Sequence, residues 1–307
     1  MRRTLAFLAG AAMTIGMLCA APSGHASTES RTPQGNSSSG SCPGDHHGTQ
    51  VVDVVSDEKG LRFSTTRVTE GLVTFRANTT NPGSEVSLFR PRRGVTPAEV
   101  VAGVMRGFTD DPQERAAAAR ANERLAVSYG LTQVMPDTPA SATVHLRAGT
   151  YYAAEIMFGR PAPTPLTFIV EKRHGHHAGH HRLSRGVDAW ISLRSGNRLT
   201  TRGKLPTTGS VLVRNTSDAI QIAVLSPIAT GTTEQQLQDW FDAGGQGDFP
   251  FARAGDSVGT DALSPGRRLK LSYSVPAGTY LLASYTPDEE TGLPAAFHGM
   301  FKVVELR

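Results

Sequence analysis

The sequence predicts an all-β fold that is built twice. Residues 148–152 (AGTYY) and residues 277–281 (AGTYL) share the motif Ala-Gly-Thr-Tyr, and each follows a similar upstream unit. Tyr151 thus corresponds to Tyr280 and Asn78 to Asn215, at separations of about 130 residues, an ordinary domain length. Short strands at regular spacing, divided by Gly and Pro turns, predict a β-sandwich in each copy.

The N-terminus predicts export from the cell. Residues 1–26 contain Arg2 and Arg3, an apolar run and a small-x-small site ending at Ala26, which together form a secretory signal peptide. The paired arginines leave both the general and the twin-arginine route open. We expect a soluble, secreted product with no transmembrane segment after cleavage. Cleavage removes two positive charges from a net +4, so the charge gives no argument for a nucleic-acid partner.

Composition divides the mature chain into four parts. Residues 27–49 are rich in Ser, Thr, Gly and Pro and are predicted to be a disordered tether. Residues 50–172 form the first domain, residues 173–186 the linker, and residues 187–307 the second domain. Cys42 lies in the tether and is the one cysteine left after cleavage, so it is either a free thiol or half of an intermolecular bridge.

Helices are predicted beside the strands. Thr96 and Glu99 stand in capping-box order and predict a short helix to about Arg106. In the second copy Thr232 or Thr233 caps the matching helix, which runs through Phe241. An alanine-rich segment predicts a further helix over residues 112–129 in the first copy, with no counterpart in the second.

The order of these features resembles a known family. A strand, an Asn turn, a second strand, a capped helix, a Gly-rich loop, PAGTYLLASYTPD, a Gly-Leu-Pro turn and HGMFKVV are similar to the cupredoxin-like (plastocyanin/azurin-type) domains of secreted bacterial proteins. The likeness covers nearly all of residues 187–307 and, more weakly, residues 51–172. It implies two tandem cupredoxin-like Greek-key β-sandwiches, each with a short helix.

The resemblance also implies where copper ligands would stand. Copper-binding members place a His after the Asn turn, a Cys after the GTY strand, a His past the next turn and a Met at the loop end, a set that suits copper. Here Ser284 takes the Cys position, Ala295 the second His position, and a residue near Gln221 the first. Met300 remains, and in the first copy Glu155 takes the Cys position. The resemblance therefore implies a sandwich with its copper ligands largely lost, and it argues against electron transfer.

A second metal hypothesis comes from histidines outside the sandwiches. Neutral imidazole binds copper, nickel and zinc, so a dense tract can bind these ions weakly. The linker HGHHAGHH supplies His174, His176, His177, His180 and His181. The tether segment CPGDHH adds Cys42, His46 and His47 as a weaker set. An exposed linker of this kind also serves simply to keep two domains soluble.

Catalytic motifs receive little support. Residues 255–259 (GDSVG) match the G-x-S-x-G string of hydrolases, but they lie in a Gly-rich loop followed by a strand, where a nucleophile elbow needs a strand and then a helix. His145 is expected to face away from the core, and His298 to be at the surface or locally hydrogen-bonded. The sequence therefore predicts a protein that is not an enzyme.

Two functions remain. The first is a secreted, non-catalytic binding or interaction protein built on degenerate cupredoxin-like domains, with no bound cofactor and with an unknown protein or cell-surface partner. The alternative is binding or sequestration of divalent copper, nickel or zinc outside the cell membrane through the linker histidines.

Overall fold

The computed structural model describes residues 49–80, 84–134, 138, 140–156, 160–173, 182–245, 249–253, 255 and 257–307. The predicted all-β class is confirmed: strands form two stacked sheets, with short helices outside them. The first copy contains β1 (Gln50–Asp57), β2 (Gly60–Phe63), β3 (Arg67–Thr69), β4 (Gly71–Thr79), β5 (Ser84–Pro91), α1 (Pro97–Arg106), α2 (Pro112–Leu125), β6 (Ala126–Ser128), β7 (Thr132–Val134), β8 (Ala140–Leu146), β9 (Gly149–Ile156) and β10 (Leu166–Glu171).

The second copy repeats most of this order. It contains β11 (Ala189–Arg194), β12 (Arg198–Arg202), β13 (Thr208–Thr216), β14 (Gln221–Pro227), α3 (Glu234–Asp242), β15 (Val258–Leu263), β16 (Arg268–Ser274), β17 (Gly278–Ala283), a 3₁₀ helix (Ala295–His298) and β18 (Phe301–Leu306). Within the described residues, no helix has the length and apolar character needed to cross a bilayer.

Both sheets run through both copies. One has eight strands in the order β12-β11-β13-β16-β8-β4-β1-β2, and the other has β18-β17-β14-β15-β7-β5-β9-β10-β3 with β6 paired to β5. The copies meet where β8 pairs with β16 and where β7 pairs with β15, both antiparallel. Each order is nearly a palindrome about that junction, so corresponding strands of the two copies lie at corresponding places on either side of it. Pairing at the junction also covers four strand edges that would otherwise be exposed.

The space between the sheets holds one apolar cluster that spans the junction. It includes Phe75 and Phe168 in the first copy and Leu271 and Leu282 in the second, all at most 1% exposed. Two smaller clusters lie on the outer face of the ten-stranded sheet, one under α1 and one under α3. Burial of this kind is the main favourable term in folding.

The repeated AGTY motif has a structural role in both copies. Tyr151 and Tyr280 are each 1% exposed, and each hydroxyl donates to the backbone carbonyl four residues earlier at 2.9 Å. Gly149 and Gly278 adopt φ values of 147° and 144°, which strongly favour glycine. A guanidinium covers each corner: Arg90 lies over the Tyr151 ring and against Gly149, and an arginine of the second copy does the same.

The short helices begin as predicted. Thr96 and Thr233 are the N-caps of α1 and α3, and both capping boxes are complete. The predicted long helix is wrong at its C-terminal end. It stops at Leu125, and Ala126–Ser128 instead pair with β5, which provides partners for backbone groups of both strands.

The proposed match of Asn78 with Asn215 is shifted by one residue. Asn78 is exposed on β4, whereas Asn215 is 1% exposed on β13. Successive side chains of a strand face opposite ways, so the two asparagines do not occupy equivalent positions. The turn role expected for Asn215 is present: its amide donates to the carbonyls of Ala219 and Leu263, and its Oδ1 accepts from Ser217.

The helix α2 lies across the junction. Arg115, 6% exposed, donates from Nε to the Gly292 carbonyl of the second copy at 2.7 Å and from Nη1 to the Thr109 carbonyl at 2.8 Å. Gly292 has φ 69°, and a Cβ there would lie 1.8 Å from the Pro112 carbonyl oxygen. The insert that distinguishes the first copy thus packs against the second.

Candidate functional site

A closed polar cluster lies at one end of the second sandwich. Gln221 at the start of β14, Ser284 just after β17 and Thr286 meet there. Ser284 Oγ donates to Gln221 Oε1 at 2.6 Å, and Thr286 Oγ1 donates to the same oxygen at 2.7 Å. Ser284 is fully buried and Gln221 is 6% exposed. Ser284 stands at one position that the resemblance assigns to a copper ligand and Gln221 lies at or near another, and the fold does bring them together.

The loop after β17 closes over this cluster. The Ser284 N–H donates to the Met300 carbonyl at 3.1 Å, and the Met300 N–H donates to the Ala295 carbonyl at 3.1 Å. Ala295 and Met300 are at most 1% exposed and belong to the main apolar cluster. Met300 is therefore a core residue.

The first copy has a different polar group at the corresponding end. Glu155, just before the end of β9, accepts a hydrogen bond from the Ser56 hydroxyl. Thr79 Oγ1 donates to the Ser56 carbonyl at 3.0 Å. Ser56 and Thr79 are 1% and 4% exposed, so this group also caps the sandwich interior.

Neither cluster fits a blue-copper centre. Such a centre needs a thiolate and two imidazoles in a trigonal arrangement. The second copy offers two hydroxyls and a carboxamide whose oxygen already accepts two hydrogen bonds, and the first offers hydroxyls and one carboxylate. The side-chain oxygen atoms of each cluster are already hydrogen-bonded to one another. Binding of copper would have to replace those hydrogen bonds.

A buried and a half-buried carboxyl group lie close together where the copies join. Asp261 on β15, 5% exposed, accepts a hydrogen bond from Ser87 on β5, and Glu85 on β5 accepts from Gln133 Nε2 at 3.3 Å. Burial, and secondly the neighbouring Asp261 carboxylate, raise the pKa of Glu85 from 4.5 to about 8. Burial also raises the pKa of Asp261, against the lowering effect of its Ser87 hydrogen bond. This pair was not predicted, because its members are far apart in sequence.

A basic cleft of about 590 Å³ opens between the copies. We call it the arginine cleft; its basic side chains are Arg90, His145 and Arg147 of the first copy and Arg214, Arg267 and Arg268 of the second. The sequence analysis missed it because these arginines are scattered along the chain. The signal that could have found it was the excess of basic residues, which composition alone cannot place.

The metal ligands predicted in the linker and the tether lie outside the described residues. They are His174, His176, His177, His180, His181, Cys42, His46 and His47. Among the residues that the structure describes, no group of three or more His, Cys, Asp or Glu side chains is arranged to hold a metal ion.

The remaining candidates behave as structural or surface residues. Ser257 donates to Ser226 Oγ at 2.9 Å and lies directly before β15, so the strand-to-helix elbow of a hydrolase is not formed there. His145 is exposed between buried Val144 and Leu146, as expected. His298 Nε2 lies 2.8 Å from Thr291 Oγ1, the local hydrogen bond that was predicted.

Comparison with known proteins yields structural matches alone. No family model and no curated protein matches the chain. Similar solved structures include an auracyanin from Roseiflexus castenholzii, with 17% identity, a TM-score of 0.24 and coverage of 38% of this chain and 94% of that one. Auracyanin A of Chloroflexus aurantiacus, described as a "blue" copper protein, has 18% identity and a TM-score of 0.28. The match covers 40% of this chain and 100% of that one.

Larger copper enzymes also match. A multicopper oxidase has 12% identity and a TM-score of 0.23, covering 84% of this chain and 88% of its own. A copper nitrite reductase from Nitrosomonas europaea has 11% identity and a TM-score of 0.20, covering 84% of this chain and 93% of its own. All these neighbours share the β-sandwich class, and at these identities and TM-scores they carry no argument about the activity of this chain.

Proposed function

We propose that the protein is a secreted, non-catalytic binding or interaction protein built on degenerate cupredoxin-like domains. The observation that supports this most directly is the Ser284 cluster. At the place where a copper-binding relative would present its ligands, Gln221, Ser284 and Thr286 hydrogen-bond one another inside the sandwich. Function must be argued from sites and not from the fold, and this site is closed.

Burial strengthens this argument. A polar group inside a protein is tolerated when its hydrogen bonds are made, and opening this cluster to admit a metal would sacrifice them. The cluster therefore contributes to the fold and leaves binding to the outer surfaces. A signal peptide would deliver such a protein to the cell exterior, where its partner is a protein or a cell-surface component.

Copper titration of the mature protein tests the proposal. We expect no intense blue charge-transfer band in excess Cu(II), because a Cu(II)–thiolate bond is needed to produce it. A Cys42→Ser variant is the control, since it removes the one cysteine that remains after signal cleavage. A blue band in the wild type that is lost in Cys42→Ser, or oxidase activity of the copper-treated protein, would show that the copper chemistry is not lost.

The linker histidines support a second candidate, the binding or sequestration of copper, nickel or zinc outside the cell. Five imidazoles lie within residues 174–181, dense enough for two or more to reach one ion. Binding of this kind would be weak and would require neutral imidazole. It would use the linker, so it is compatible with two sandwiches that hold no metal.

A further inference from the structure

The arginine cleft brings together charges of one sign from both copies. Arg90 lies on β5 and Arg147 in the turn before β9. Arg214 lies on β13, Arg268 is the first residue of β16 and Arg267 directly precedes it. All five are exposed, so their N–H groups are accessible from solvent. The cleft exists because the two copies pair edge to edge, since neither copy supplies its full set of cations.

These cations have no acidic partners among the described residues. No Asp or Glu is among the described side chains that line the cleft. The ion pairs found in the described part of the chain use Arg62, Arg67, Arg76 and Lys302, and none of the cleft arginines. A concave surface lined by one sign of charge concentrates counter-ions of the opposite sign.

Aromatic rings hold three of the guanidinium groups in place. Arg90 lies over Tyr151 with 6.0 Å from its Cζ to the ring centre, and Arg267 lies over Tyr129 at 5.0 Å. Arg214 lies over a tryptophan at 5.2 Å and donates from Nε to Ser192 Oγ at 3.0 Å. Stacking fixes the plane of each group and leaves N–H donors at its edges, so less entropy is lost when a ligand binds.

We infer that the arginine cleft binds a small polyanion carrying two or more phosphate groups. The planar fork of arginine matches phosphate oxygens in pairs, and several forks facing one space suit a ligand with several such groups. A cleft of about 590 Å³ has the size of a small-molecule site. Such a ligand would contact both copies at once and would stabilise their junction.

Isothermal titration of the mature protein with inorganic pyrophosphate tests this inference. We expect saturable binding that weakens as the salt concentration rises. Arg214→Ala and Arg267→Ala should each weaken it about tenfold or more, because each removes charged hydrogen bonds to the ligand. Both residues are exposed, so loss of folding is not expected.

Two control variants separate the site from general charge and packing. Arg253 packs over Tyr280 at 5.5 Å and against Gly278, as Arg90 does over its own corner, but it does not line the cleft. Arg202 is an exposed arginine on β12 away from the cleft. Arg253→Ala and Arg202→Ala should bind pyrophosphate as the wild type does.

The outcomes decide the matter. Binding that falls in the two cleft variants and not in the two controls supports the site. The absence of pyrophosphate binding, or an equal loss in all four variants, overturns it. Tighter binding of citrate than of pyrophosphate would overturn the assignment to phosphate. None of these results depends on copper, so failure here is distinguishable from failure of the proposed non-catalytic role.

Discussion

Ala142 of the first copy pairs with Leu271 of the second at the centre of the eight-stranded sheet. Both side chains are at most 1% exposed and point into the cluster shared by the two sheets. The other sheet makes the same kind of connection, where Thr132 pairs with Thr260. Backbone pairing in both layers and a common core therefore join the copies without help from the linker.

A cut in the linker should leave the two halves together. With a protease site placed inside residues 174–181, we expect the cleaved fragments to elute from a size-exclusion column as one species of unchanged size. The reason is that separation would expose the paired edges of four strands and the shared core. The uncut protein is the control. Elution as two folded halves would show that the junction does not hold them.

Replacing Arg115 should destabilise the junction. Arg115→Ala leaves the buried Gly292 carbonyl without this donor, which costs roughly 1–3 kcal/mol, and it also removes the hydrogen bond to the half-buried Thr109 carbonyl. Arg124→Ala is the control on the same helix, because Arg124 is exposed and should change stability by about 0.5 kcal/mol or less. Chemical denaturation measures both free energies of unfolding. Equal effects would contradict the role given to Arg115.

Stability should fall as the pH rises from about 4.5 to about 8. Over that window folded Glu85 keeps its proton while the unfolded chain has lost it, so the native state binds more protons and the free energy of unfolding falls as the pH rises. Glu85→Gln should remove most of this slope and raise the stability at pH 8. Denaturation midpoints across the window measure it.

A matched variant isolates the effect of Glu85. Glu114 is exposed on α2, so Glu114→Gln removes the same charge from the surface and should leave the slope as it is in the wild type. A slope that survives in Glu85→Gln would mean that the carboxyl pair at the junction does not control the pH dependence.

Deletion of residues 175–181 with His174→Ala should abolish weak copper or nickel binding and leave both sandwiches folded. Below about pH 6.5 the imidazoles are protonated, so binding by the wild type should fall there as well. Titration calorimetry and circular dichroism measure the two properties. Unchanged affinity in the deletion variant would place the metal at Cys42, His46 and His47 instead.

Local chemistry explains which parts of the fold were predictable. The starts of α1 and α3 could be predicted from Thr96 and Thr233, because a capping box depends on two residues only three apart in the sequence. The strand Ala126–Ser128 was missed because three residues are too short to show alternation after an alanine-rich helix. Pairing of Ala142 with Leu271 was missed for another reason: nothing local distinguishes a strand that pairs with the other copy from one that pairs with its own.

The Ser284 cluster could be predicted in part from the sequence, whereas the arginine cleft could not. Ser284 and Gln221 were placed near each other through the family resemblance, and the structure joins them by a hydrogen bond. Arg147 and Arg267 could not be associated, because they lie far apart in the sequence and their proximity arises from the pairing of the copies. Single-sequence patterns report local order, whereas this cleft is a product of tertiary assembly.

The contact of Arg115 with Gly292 occurs once in the molecule, since α2 has no counterpart among the described residues of the second copy. In a dimer of identical chains, symmetry would duplicate every such contact, and an insertion favourable on one side would be imposed on the other as well. Tandem fusion removes that constraint. One copy can acquire an insert such as α2 while the loops of the other copy change independently. The two copies within a single chain can therefore diverge as the subunits of a heterodimer do.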